Sequence, residues 1–137
     1  MARQRRRRAF GIALGVVLVG VGASFIWHTQ KTIERLTPPN SVVDLQTFMQ
    51  QMPKPDSGYE LNVGGSQHIE LVGPLPSKWT LPAGPPSYIF DASGQLVDWT
   101  WDIGEDPDFV SAWHGSGRRV LTEEEVAAWV SSSADDG

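Results

Sequence analysis

The chain contains no cysteine. That absence excludes a disulfide framework, thiolate catalysis, dithiol redox chemistry and cysteine-ligated zinc or iron-sulfur sites, so the stability of the folded part rests on packing. Also missing are the G-x-S-x-G nucleophile elbow, the H-E-x-x-H zinc pair, the phosphate-binding glycine loop and the D-x-D-x-D-G calcium loop. No enzymatic activity and no cofactor are therefore expected.

Charge is distributed just as unevenly. No carboxylate precedes Glu34, and no charge of either sign occurs in the nineteen residues from Ala9 to Trp27. As a helix rising about 1.5 Å per residue, such a run crosses the roughly 30 Å hydrocarbon core of a bilayer. It follows Arg3, Arg5, Arg6, Arg7 and Arg8, which the positive-inside bias holds on the cytoplasmic face, in contact with anionic lipid. The expected topology is a single pass through the cytoplasmic membrane, with the rest of the chain on the extracytoplasmic, periplasmic side.

The same pattern also begins a secretory signal peptide, with Val21-Gly22-Ala23 as a small-residue cut and Arg7-Arg8 as a twin-arginine motif. Phe25, Ile26 and Trp27 extend the apolar run past that cut and end it on an interfacial aromatic, which predicts a retained signal-anchor. Within the run, Gly11, Gly15 and Gly22 fall on nearly one face, a seam along which a second helix can approach. Expected partners are other proteins of a bacterial membrane complex, or a second copy meeting it along this seam.

Beyond the anchor, six Lys and Arg stand against sixteen Asp and Glu, a net charge of -10. A head so acidic is repelled by nucleic acid and by anionic lipid, so nucleic acid is not an expected partner.

Residues 28–56 read as a juxtamembrane stalk and an amphipathic helix. The stalk prolongs the anchor until Pro38-Pro39, and the helix is capped by Ser41 and carries Val42, Leu45, Phe48, Met49 and Met52 on one stripe before Pro53. Residues 57–131 read as a small α+β domain with an antiparallel sheet of about four strands and two C-terminal helices, followed by a disordered tail over 132–137.

Alternation across Tyr59–Val63 and His68–Leu71 around a Gly64-Gly65-Ser66 turn predicts a hairpin burying Tyr59, Leu61, Val63, Ile69 and Leu71. Its polar side, with Glu60, Asn62, His68 and Glu70, is expected to face water. The proline-rich segment 73–86 reads as an extended connection carrying Trp79 towards the core.

Tyr88–Trp99 predicts a second hairpin turning at Asp91 and Gly94, with Phe90 opposite Leu96 and Ile89 opposite Val97, and with Trp99 and Trp101 as core. Residues 84–97 resemble the proline-led hairpin of thioredoxin-like proteins. The likeness covers only these fourteen residues and comes without that family's Cys-x-x-Cys, so neither its fold nor its activity is carried over.

Asp106-Pro107 opens the first C-terminal helix, and Thr122 with Glu125 forms a capping box for the second. His114 is expected to meet the end of the first helix as a cation. Asp98, Asp102, Glu105, Asp106 and Asp108 are the densest acidic cluster and the weak candidates for calcium. With Trp99 and Trp101 they support the alternative of a membrane-tethered envelope enzyme or a calcium-dependent carbohydrate binder.

Overall fold

The computed structural model describes residues 2–75 and 84–135, and for residues 2–16 and 135 the backbone alone. Its described part is α+β, with four helices and a five-stranded antiparallel sheet in the order β4-β3-β2-β1-β5.

The hairpin of β1 (Ser57–Val63) and β2 (Ser66–Val72) closes on two glycines at positive φ, Gly64 at 60° and Gly65 at 79°, so Val63 pairs directly with Ser66. A turn one residue longer would put Leu61 beside Ile69. The observed turn pairs Leu61 with His68 and Tyr59 with Glu70, because a one-residue shift in register exchanges the two faces of a strand. The expected division into one buried and one wet face therefore does not hold, and both faces of the sheet are covered.

On one face, Ile69, Leu71, Tyr88 and Phe90 form the main core with Leu45 and Phe48 of α2 (Leu45–Gln51) and with Val126, Trp129 and Val130 of α4 (Glu123–Asp135). On the other, Leu61 and Ile89 pack against Phe109 and Trp113 of α3 (Pro107–His114).

β3 (Ser87–Asp91) and β4 (Leu96–Thr100) turn on Asp91, whose Oδ1 accepts from the Ser93 and Gln95 amides, and on Gly94 at φ 88°. Phe90 lies opposite Leu96 as expected. A bulge follows, so Ile89 pairs with Asp98 instead of Val97, and Val97 is pushed out to 45% exposure. Trp99 is half-buried against the main core, whereas Trp101 is 44% exposed, and Trp79 lies outside the described residues.

The fifth strand, β5 (Arg118–Leu121), pairs with β1 in a stretch the sequence reading leaves as a connector between helices. α4 also continues to Asp135, through residues expected to be a tail; residues 136–137 lie outside the described part.

α2 begins three residues later than the Ser41 cap predicts. Residues 43–45 are held extended against the β3–β4 turn, where Leu96 N donates to Val43 O and Leu45 N to Gly94 O, so the cap falls to Asp44, and Ser41 bonds Gln51 instead. Asp44 Oδ1 accepts the Thr47 amide at 2.8 Å, and this bond holds its carboxyl below the usual carboxylate range.

A carboxylate depressed in the folded state contributes stability above its unfolded pKa of about 3.9 and loses it as pH falls through the folded value. Asp44→Asn, which keeps a capping oxygen without the titration, is expected to flatten the acid limb of a stability-against-pH curve below about pH 5. Thermal melts at a series of pH values measure it, and an unchanged limb refutes this account of the cap.

Candidate functional site

Three features of the described residues bear on function. The first is a carboxylate sealed inside the sheet. Glu70 of β2 points to the α3 side because of the two-glycine turn, and it is fully buried. Its Oε2 accepts from Ser87 Oγ at 2.7 Å and stands 2.6 Å from His114 Nε2, while Oε1 takes Arg118 Nε at 2.8 Å and Nη2 at 2.7 Å. The Arg118 guanidinium also lies 3.5 Å over the Tyr59 ring, a cation-π contact.

His114 thus serves this carboxylate rather than the helix end alone. Beside it, His68 packs on Trp113, whose Nε1 donates to Asp98 Oδ2 at 2.7 Å. His68 and Glu70, expected to lie on a wet face, are instead drawn under α3. Both Glu70 oxygens are occupied and out of reach of solutes. The arrangement ties β2, β3, α3 and β5 together.

The second feature is the foot of α1 (Ala2–Leu36), which runs as one helix into the head. Leu36 is fully buried, its carbonyl accepts from the Tyr88 hydroxyl, and Trp101 Nε1 donates to Thr37 Oγ1 at 2.9 Å. Orphan carbonyls at a helix end need partners, and Tyr88 of β3 supplies one here, while Trp101, just past β4, ties the Thr37 hydroxyl. Burial pushes the Tyr88 phenol well above its ordinary pKa, with Arg35 pulling the other way, so Tyr88 stays a donor throughout the physiological range.

Gly22 faces open space, whereas Gly11, Gly15 and the arginines from Arg3 to Arg8 lie where only the backbone is described. Among the described residues, no helix is long and apolar enough to cross a membrane. Side chains are described only from Val17, so the first eight residues of the uncharged run are outside that statement.

The third feature is the acidic cluster, which the structure disperses. Asp98 serves Trp99 N and Trp113, and Asp102 takes the amides of Gly84 at 2.8 Å and Gly104 at 3.0 Å. Asp106 caps α3 through Phe109 N, while Glu105 and Asp108 are exposed. A Cβ on Gly84 would lie 2.0 Å from Asp102 Oδ1, so a larger residue there would have to displace the carboxylate. No three His, Cys, Asp or Glu among the described residues stand close enough to hold a metal ion.

A groove of about 250 Å³ between α2, α4 and the start of β1 is lined by Met49, Pro55, Leu121, Val126 and Ala127, and Lys54 and Glu123 pair at 3.2 Å beside it. Lys54, Asp56, Ser57 and Glu123 line it too, with Lys54 and Glu123 neutralising one another.

The sequence reading misses the Glu70 set because its members are 17, 44 and 48 residues apart. One signal was available: a glutamate between Ile69 and Leu71, in a strand that turns out to be covered on both faces. Compared with family models, curated proteins and solved structures, the chain matches none.

Proposed function

We propose that this chain is a single-pass membrane protein whose acidic α+β head, held outside the cytoplasm, is a non-enzymatic accessory or interaction subunit of a bacterial membrane complex. The observation that carries the reading is the state of α1 over the second half of its uncharged run. Val17, Leu18, Val19, Val21, Phe25, Ile26 and Trp27 are 44–73% exposed along one helix that continues unbroken into a buried foot at Leu36.

So much contiguous apolar surface is costly in water and calls for lipid or another helix around it. The arginines at its start favour lipid with the N-terminus inside. From Trp27 to Leu36 the helix rises about 13 Å, a short spacer that keeps the head clear of the headgroups.

A scaffold role is favoured over catalysis because the most concentrated polar chemistry, at Glu70, is closed, and because three of the five carboxylates between 98 and 108 are spent on amides or an indole. The partners are other membrane proteins meeting the glycine seam and the acidic outer face.

The test is made on the full chain with a C-terminal tag. It is expected to resist alkaline carbonate extraction at full length, and the tag is expected to be digested by protease added to spheroplasts. A freely soluble product, one shortened near Ala23, or a tag protected in spheroplasts and cut only after lysis would refute the topology. For the subunit reading, Gly15→Leu is expected to shift the detergent-solubilised protein to a smaller species on size-exclusion chromatography; a protein that is monomeric with or without the change removes that support.

A further inference from the structure

Leu121, Gly58, Leu71, Tyr88 and Trp99 form one row across the five strands. Tyr88 in that row holds the Leu36 carbonyl at the foot of α1, and Gly58, two strands away, lies about 10 Å along it. A Cβ on Gly58 would stand 2.6 Å from Val126 Cγ2, so α4 meets β1 closely here. The groove of about 250 Å³ opens alongside this contact, walled by Met49, Leu121 and Ala127. It therefore sits level with the joint between α1 and the head.

Met49, expected on the buried stripe of α2, is instead 36% exposed as one wall of this groove. A flexible thioether adapts to apolar side chains of different shape. The charges around the groove are unevenly matched. Lys54 and Glu123 neutralise one another, whereas Asp56 in the lining and Glu124, one helical turn from Ala127, are exposed and have no ionic partner among the described residues. An apolar floor is thus flanked by two uncompensated carboxylates.

We infer that this groove receives an apolar side chain from a basic segment of a neighbouring membrane protein, the stretch of that protein standing just outside the bilayer beside α1. The occupant follows from charge. Lysines or arginines on either side of the inserted side chain meet Asp56 and Glu124, so the two surfaces are complementary in sign. A second copy fits poorly, because the head beyond the anchor carries sixteen Asp and Glu against six Lys and Arg and meets itself with like charge. Anionic lipid is repelled for the same reason. The source of the segment rests on the topology proposed above; its apolar and basic chemistry does not.

The test titrates the isotope-labelled full chain in mild detergent with a synthetic peptide of two leucines between pairs of lysines, and with the same peptide carrying glutamates for the lysines. The basic peptide is expected to shift the amide signals of Gly58, Leu121 and Val126 to saturation, and the acidic one to leave them in place. Ala127→Phe, which fills the groove from an exposed position, is expected to abolish the saturable shift without lowering the melting temperature. Asp56→Asn with Glu124→Gln, at two exposed sites, is expected to weaken the basic peptide and to flatten its salt dependence. The inference is overturned if the basic peptide gives no saturable shift, if both peptides shift the signals equally, or if the shift survives Ala127→Phe or ignores the loss of both carboxylates. It is overturned equally if added phosphatidylcholine or protein concentration alone moves the same signals, which seats a lipid chain or a second copy there. All of this is read in detergent, so a failed topology, detected by carbonate extraction and protease access, leaves the peptide result standing.

Discussion

Glu70→Ala is expected to destabilise the head by about 3–5 kcal/mol, the cost of breaking a buried ion pair by deleting one partner. The loss comes less from the missing attraction than from what remains. Arg118, His114 and Ser87 converge on Glu70 from β5, the end of α3 and β3, and without it they keep their positions but not their acceptor. For a domain of this size the melting temperature falls by roughly 15–30 °C.

The comparison that separates this account from simple loss of packing is the combined change Glu70→Leu, His114→Leu and Arg118→Met. Buried ionic clusters replaced as a whole by apolar groups of similar volume are often neutral or better, so the triple variant is expected to recover most of what Glu70→Ala loses. If the triple variant melts no higher than Glu70→Ala, the cluster is not the source of the cost. Thermal melts of the full chain in detergent read both.

The difference between what the sequence made legible and what it hid follows the range of the interactions. The Asp106-Pro107 start of α3, the Thr122 and Glu125 capping box of α4 and the Asp91–Gly94 turn are all settled within five residues, and each appears where the side chains place it. The α+β class was legible for the same reason, since strands and helices are marked by local periodicity.

The faces of β2 were not. They depend on whether Ser66 belongs to the turn or to the strand, and that single residue decides whether Glu70 is wet or sealed beneath α3. β5 was hidden because four residues, two of them arginines, show no alternation; it is a strand because β1 offers it an edge. The Asp44 cap was hidden because a partner fifty residues away holds the preceding segment extended. What holds Asp98 and Asp102 was likewise out of reach, since the Trp113 indole and the Gly84 amide that they accept from lie 15 and 18 residues away.

Phe48→Ala carries the other large effect, and its interest is where the damage falls. The ring is 1% exposed and sits between two aromatics, 4.7 Å from the centroid of Tyr88 and 5.2 Å from that of Phe90. Truncating a fully buried phenylalanine costs about 3–5 kcal/mol through lost transfer energy and the cavity left behind. Tyr88 is the residue whose hydroxyl holds the Leu36 carbonyl at the end of α1, so a cavity beside its ring loosens the joint between rod and head as well as the core.

Tyr88→Phe separates the two consequences. It leaves the packing intact and removes only the bond to Leu36, so about 1–3 kcal/mol is expected for the carbonyl left unsatisfied. Amide exchange of the full chain in detergent should then rise around residues 33–37 while the sheet keeps its protection, whereas Phe48→Ala should raise exchange in both places. If Tyr88→Phe leaves exchange at the helix foot unchanged, Trp101 and the buried Leu36 side chain suffice to hold the joint, and the phenol is not what couples the helix to the head.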